Sequence, residues 1–163
     1  MPLPCIRLPY DTARDHAARH GWREKVLAYV TRRPDELLVF AHDEHHPGAG
    51  IQVPGGGVDP TEQPADAVVR ETWEESGLRL ADPVHLGSFE WQVEAPSRIR
   101  HCYWLQAPIS TADHLEHLVT AGEQDQGMIF HYAFAPRSRP GLLLGHGFES
   151  GLNDLDRMIN SRS

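Results

Sequence analysis

Cysteine is scarce: Cys5 and Cys102 are the whole complement of a 163-residue chain, too few for a disulfide framework. Long apolar runs are missing as well. No stretch approaches the roughly 18–20 consecutive apolar residues of a membrane span. The segment Met1-Pro2-Leu3-Pro4-Cys5 has neither the basic start nor the apolar core of a secretory signal. A cytoplasmic protein with no membrane partner is the expectation. Positive charge is in short supply: 15 Lys+Arg stand against 23 Asp+Glu, a formal charge of −8, and Lys25 is the single lysine. That balance argues against broad binding to duplex nucleic acid. A polyanionic ligand would need a recruited cation to hold it.

What is present is ordinary globular composition, 40% hydrophobic and 23% charged, which excludes global disorder. There is no repeat and no internal linker, so residues 1–163 are expected to form a single domain. Its core is placed at 23–136, preceded by an extension over 1–22 and followed by a segment over 137–163. Tyr10 to Gly21 reads as a short polar helix stopped at the glycine. Lys25 to Thr31 and Leu37 to Ala41 read as two strands of a hairpin, with a turn at Arg33-Pro34-Asp35-Glu36. Ile51-Gln52-Val53 is expected to be a short strand running into Pro54-Gly55-Gly56-Gly57. Val84 to Glu94 and Ile99 to Gln106 read as strands joined at Pro96-Ser97, and Gly127 to Phe134 as another. Leu115 to Thr120 fits either strand or helix. A final helix is expected from about Gly151 to Ile159, with Ser150 as its N-cap. Strands and helices mix without regular alternation, so the fold class is α/β (α+β), built on a mixed β-sheet.

The strongest helix starts at Pro64, a residue suited to the first helical position, and stops at Gly77, where a left-handed cap belongs. One face collects Ala65, Val68, Val69, Thr72 and Ser76, with Trp73 at its margin. Glu71, Glu74 and Glu75 fall within an arc of about 100° and one turn of length. Like charges at these spacings weaken a helix, and they sit at the negative end of its dipole. A hard divalent cation would convert that double penalty into a site, since Mg²⁺ takes carboxylate oxygens. A solvated acidic face is the plainer alternative.

The surroundings of these carboxylates resemble the signature box of the Nudix hydrolases, G-x5-E-x7-R-E-U-x-E-E-x-G-U, where U is a bulky aliphatic residue. Gly56, Glu62, Arg70, Glu71, Glu74, Glu75, Gly77 and Leu78 match eight of the nine specified positions, and Thr72 departs from the aliphatic one. The resemblance implies an α/β/α sandwich around a mixed sheet, and hydrolysis of a diphosphate linkage in a nucleoside diphosphate derivative. It implies Glu71, Glu74, Glu75 and the Gly56 carbonyl as ligands of Mg²⁺ or Mn²⁺. Glu62 and Arg70 become the pair tying loop to helix, and Gly77 is needed for backbone shape. Glu71 is one candidate for the general base. Glu123, in the acidic loop Gly122-Glu123-Gln124-Asp125-Gln126-Gly127, is the other, and Asp125 is a weaker choice in the same loop.

Specificity lies outside the box. Arg98 and Arg100 are candidates to hold a phosphate. Trp91, Tyr103 and Trp104 are candidates to stack a base, although aromatics on paired strands are more often core. The run His42-Asp43-Glu44-His45-His46 has metal-ligating residue types without a second cluster, and a hairpin exit explains it. The flanks 1–22 and 137–163 are available for a homodimer contact or a pocket wall. A nucleotide-binding sensor without hydrolytic activity is the alternative reading, although a sensor has no need of the complete carboxylate set.

Overall fold

The computed structural model describes residues 5–42, 47–92, 96–121 and 126–162. Strand β1 (Cys5–Leu8) leads into helix α1 (Tyr10–His20), then β2 (Arg23–Thr31), β3 (Glu36–Ala41) and β4 (Gly55–Gly57). Helix α2 (Pro64–Ser76) follows, then β5 (Val84–Trp91), β6 (Arg98–Gln106), β7 (His114–Leu118), β8 (Ile129–Pro136) and α3 (Leu152–Ser161). Five strands form a mixed sheet in the order β1-β5-β6-β2-β4, and three form an antiparallel sheet in the order β3-β8-β7. The ambiguous stretch from Leu115 resolves as strand β7, which ends at Leu118. The Val84 strand ends at Trp91, and Glu94 lies outside the described residues.

Several sequence expectations are corrected. Strands β2 and β3 are no hairpin, since β2 pairs with β6 in parallel and with β4, whereas β3 pairs with β8 in the other sheet. The reason is burial. Val26 through Thr31 are all buried, the unbroken apolar run of a central strand covered on both faces. The short strand also shifts: Gln52 makes only an isolated bridge to Phe40, and the paired residues are Gly55–Gly57 against Leu27–Lys25.

Side-chain alternation along β2 and β6 divides the interior into two layers. Val26, Ala28, Val30, Tyr103 and Leu105 pack with Ala67 and Val68 of α2 and with Phe130 and Tyr132 of the second sheet. Leu27, Tyr29, Cys102 and Trp104 pack on the opposite face with Leu155 and Ile159 of α3. Helix α1 covers Ile99 through Ala13 and Ala17. The N-terminal and C-terminal segments are therefore packed into the sheet layers. Ser150 does not cap α3. Its hydroxyl donates to Gly147 O at 2.7 Å instead, and Gly151 occupies the cap position. Among the described residues no helix is long and apolar enough to cross a membrane.

A buried polar line ties α1 to this frame. His101 is fully buried between the Ser88 hydroxyl at 2.7 Å and the Glu24 carboxylate at 2.8 Å. Arg14 closes on Glu24 at 2.9 Å and donates to Gln63, the residue before α2, at 3.0 Å. Cys102 is fully buried, and burial pushes its thiol up to about 12. Thiolate is the reactive form, so fully buried Cys102 is expected to resist iodoacetamide at pH 8 in the folded protein, while Cys5, whose thiol burial also raises but which is partly exposed, reacts faster. Mass spectrometry of the alkylated protein checks this, and equal labelling of both would contradict the packing.

Candidate active site

Helix α2 forms as its sequence dictates, with Pro64 in the first turn and Gly77 capping the end at φ 77°. Its inward face carries Ala67, Val68, Thr72 and Ser76, while Trp73 turns outward and is 43% exposed with Arg79 over its ring. The three carboxylates are not a solvated face. The side chains of Glu71 and Glu74 are only 12% and 13% exposed, and Glu75 as a residue is 5% exposed. Glu75 accepts a hydrogen bond from Gly55 N at 2.9 Å. The Glu71 carboxylate lies so close over Gly56 that a Cβ at that glycine would overlap it. Strand β4 thus lies against the carboxylate edge of the helix, in register with Val26 of β2.

Arg70 organises the loop. Its Nε and Nη2 donate to the two oxygens of Glu62 at 2.8 Å each, and Nη2 donates also to Gly57 O at 2.8 Å. Its Nη1 reaches Glu71 at 2.9 Å and Glu74 at 3.2 Å. These five contacts use the five N–H donors of a guanidinium. The charge-assisted pairing with Arg70 holds the Glu62 carboxyl below its ordinary range. Glu62 and Arg70 therefore join the β4–α2 loop to the helix. Thr72 is fully buried, and its hydroxyl donates to Val68 O at 2.7 Å, one turn back. That bond is local and faces away from the carboxylates. Thr72→Val is expected to leave turnover within a few-fold and stability within about 1 kcal/mol; a steady-state assay and thermal melt check it.

Whether these residues suit a hard divalent cation follows from their chemistry. Glu71, Glu74, Glu75 and the Gly56 carbonyl are all oxygen donors of the kind Mg²⁺ or Mn²⁺ takes. A cationic nitrogen of Arg70 already lies between Glu71 and Glu74. Among the described residues no three His, Cys, Asp or Glu side chains converge on one point. The set fits such an ion in kind, with Glu75 turned toward Gly55 and Arg70 between the other two. Glu123 and Asp125 lie outside the described residues, as do positions 43–46 of the histidine-rich run. His42 packs its ring on Phe40 and Phe130, with centroids 5.5 and 4.6 Å away.

A pocket of about 300 Å³ opens beside this edge, and its lining includes Lys25, Gly56, Glu75, Arg100, Gln52 and Phe148. The parallel pairing of β2 and β6 places Arg23 beside Arg98 and Lys25 beside Arg100. Alternation puts all four cations on one face of the sheet. Burial and the neighbouring Arg98 both pull the Arg100 guanidinium below its usual value. Adjacent like charges cost stability, and of the four, Lys25 and Arg100 reach the pocket that Gly56 and Glu75 also line. Trp91 is 5% exposed, with the Arg100 guanidinium 4.6 Å from its ring centre. The ring carries Arg100 and offers no open face to a base. Tyr103 and Trp104 are core residues.

Sequence reasoning missed the pocket residues Lys25 and Phe148. The cations at alternate positions of two strands were the available signal, but a parallel pair some 75 residues apart is not legible locally. Phe148 comes to the pocket because its carbonyl accepts the Tyr29 hydroxyl at 2.6 Å, and that hydroxyl accepts Gly151 N at 3.0 Å. Arg100 donates to the His146 carbonyl in the same turn.

A family profile for the NUDIX domain matches residues 21–129, and the chain belongs to that family. It is 40% identical over 76 residues to diphosphoinositol polyphosphate phosphohydrolase 3-beta of Bos taurus, covering 47% of this chain and 45% of that protein. It is 37% identical over 83 residues to the 3-alpha protein of Homo sapiens, covering 51% and 49%. The chain thus spans about half the length of the curated relatives it matches. The fold is shared with a NUDIX hydrolase from Nitrosomonas europaea at TM-score 0.60 and 17% identity, covering 84% of this chain and 90% of that one.

Proposed function

We propose that this chain is a metal-dependent hydrolase that cleaves a diphosphate linkage in a small, multiply phosphorylated molecule. The observation that carries the reading is the sheltered carboxylate edge of α2, lying against Gly55–Gly56 and beside Lys25 and Arg100. Glu71, Glu74, Glu75 and the Gly56 carbonyl hold Mg²⁺ or Mn²⁺ in this reading. When bound, the ion neutralises the diphosphate and lowers the pKa of the attacking water. The chain's own groups do the rest. Lys25 and Arg100 bind non-bridging phosphate oxygens and orient the linkage for in-line attack. Water oxygen bonds to one phosphorus, the bridging P–O bond breaks, and a carboxylate accepts the water proton. Glu71 and Glu123 are the two candidates for that acceptor, and the pH–rate profile of Glu123→Gln separates them. Residues 1–163 act as one unit, with the 146–151 turn as a pocket wall.

The substrate class is read from the charge at the pocket. Lys25 and Arg100 line it, with Arg23 and Arg98 beside them on the same strands, a setting suited to a densely anionic molecule. Diphosphorylated inositol phosphates, the class named for the relatives, fit this demand. Nucleoside diphosphate derivatives are the second reading, favoured by the Phe148 wall. Product detection on both classes with Mg²⁺ tests it. Faster turnover of the diphosphoinositol compounds supports the first reading, and turnover of nucleoside derivatives alone supports the second. Tight binding without products from either would identify a sensor.

A further inference from the structure

The last turn of α2 carries Glu74 and Glu75, and a helix end leaves its final carbonyls without intrahelical partners. Here they are met from outside the helix. Trp73 O accepts Gly77 N at 2.8 Å. The next two carbonyls are met by side chains of the second sheet. Glu74 O lies 3.0 Å from Nε2 of His117 on β7, and Glu75 O accepts the hydroxyl of Tyr132 on β8 at 2.9 Å. A carbonyl oxygen only accepts, so His117 carries a proton on Nε2. Tyr132 is 2% exposed, with its ring 5.1 Å from that of Phe40. The His117 ring lies over Gly77, where a Cβ would come within 3.1 Å of Nδ1. Gly77 is thus required for close approach as well as for its left-handed backbone.

We propose that His117 and Tyr132 are positioning residues for the metal site. By holding the backbone carbonyls of Glu74 and Glu75, they fix the rotation of the turn on which both carboxylates hang. An unclamped last turn readily tightens toward 3₁₀ geometry, which turns each residue by about 20° more than an α-helix does. That change would swing Glu74 and Glu75 away from Gly55–Gly56. The two donors also place positive hydrogens at the negative end of the helix, where they offset the dipole that disfavours the carboxylates. The inference rests on the reading of α2 as the metal site.

The test is Mn²⁺ binding by the full chain, read from the electron paramagnetic resonance signal of free Mn²⁺. The wild type would be compared with Tyr132→Phe, His117→Phe, His117→Gln and Glu74→Gln. Tyr132→Phe and His117→Phe are each expected to weaken Mn²⁺ affinity about 10- to 100-fold, the scale of one lost outer hydrogen bond at a metal site. His117→Gln sets an N–H near the Nε2 position and is expected to stay within about twofold. In the metal-free protein, Tyr132→Phe is expected to speed hydrogen exchange at the Gly77 amide, and substrate KM at saturating metal should not move. Wild-type affinity in folded Tyr132→Phe would overturn the proposal, even if its melting temperature fell. That variant keeps the ring, so it decides the matter should His117→Phe not fold. Absence of Mn²⁺ binding by the wild type, with Glu74→Gln indistinguishable from it, would overturn the metal reading itself and this inference with it.

Discussion

Glu74→Gln is expected to lower kcat/KM by about three orders of magnitude, or ~4 kcal/mol of transition-state stabilisation at 1.36 kcal/mol per tenfold. The substitution is isosteric, and the amide oxygen still accepts from Arg70, whose Nη1 lies 3.2 Å from Glu74. The fold should therefore survive, with a melting temperature within a few degrees of wild type. What is lost is one anionic oxygen donor at the edge where Glu71, Glu75 and Gly56 meet. EDTA should produce the same loss in the wild type, and added Mg²⁺ should recover part of the activity of the variant. Steady-state kinetics across a Mg²⁺ titration, with a thermal melt, check it. Unchanged activity in a folded variant would remove Glu74 from the site.

The second large effect concerns the cations. Lys25→Gln is expected to raise KM about tenfold and Arg100→Gln about 10- to 100-fold. The estimate takes 1.5–3 kcal/mol for a hydrogen bond to a charged group. Arg100 carries the greater effect because it is partly buried, stacked on Trp91 and tied to His146, so its loss also loosens the 146–151 turn. Change in kcat should be small in Lys25→Gln, which marks binding rather than chemistry. Salt gives an independent reading. Wild-type kcat/KM should fall as ionic strength rises, and each variant should show a shallower slope, because exposed charge attraction is screened over about 10 Å at 0.1 M. A slope unaltered by both substitutions would remove the quartet from substrate recognition.

Much of the site was legible because it is local. The box lies within 23 residues, Gly56 to Leu78, and its helix is set by Pro64, Gly77 and the period of its apolar face. The Glu62–Arg70 pair is likewise a contact across eight residues. Glu75 shows the limit of the wheel: it falls at the margin of the apolar arc, yet it is buried with Gly55 N donating to its carboxylate. The errors came where partners are distant. Arg33 to Glu36 does form a turn, with Glu36 N donating to Arg33 O at 3.1 Å, yet the strands it joins part into different sheets. The missed warning was the unbroken apolar run Val26 to Val30, which suits a strand covered on both faces and not a two-stranded ribbon. The cation quartet was invisible for the same reason, since it exists only once β2 lies alongside β6. The clamp on α2 needed β7 and β8 in place before His117 and Tyr132 could be read as more than strand residues.

Hydrolysis in ¹⁸O-labelled water is the most direct test that the carboxylate edge of α2 cleaves a diphosphate linkage. A diphosphoinositol polyphosphate and a nucleoside diphosphate derivative would each be incubated with the protein and Mg²⁺, and the products weighed by mass spectrometry. The expected result is one ¹⁸O atom in the phosphate of a single product, with turnover abolished by EDTA and by Glu74→Gln. Substrate recovered intact at concentrations where it shifts the melting temperature would contradict hydrolysis. Labelled product formed equally well by Glu74→Gln would place the chemistry elsewhere on the molecule.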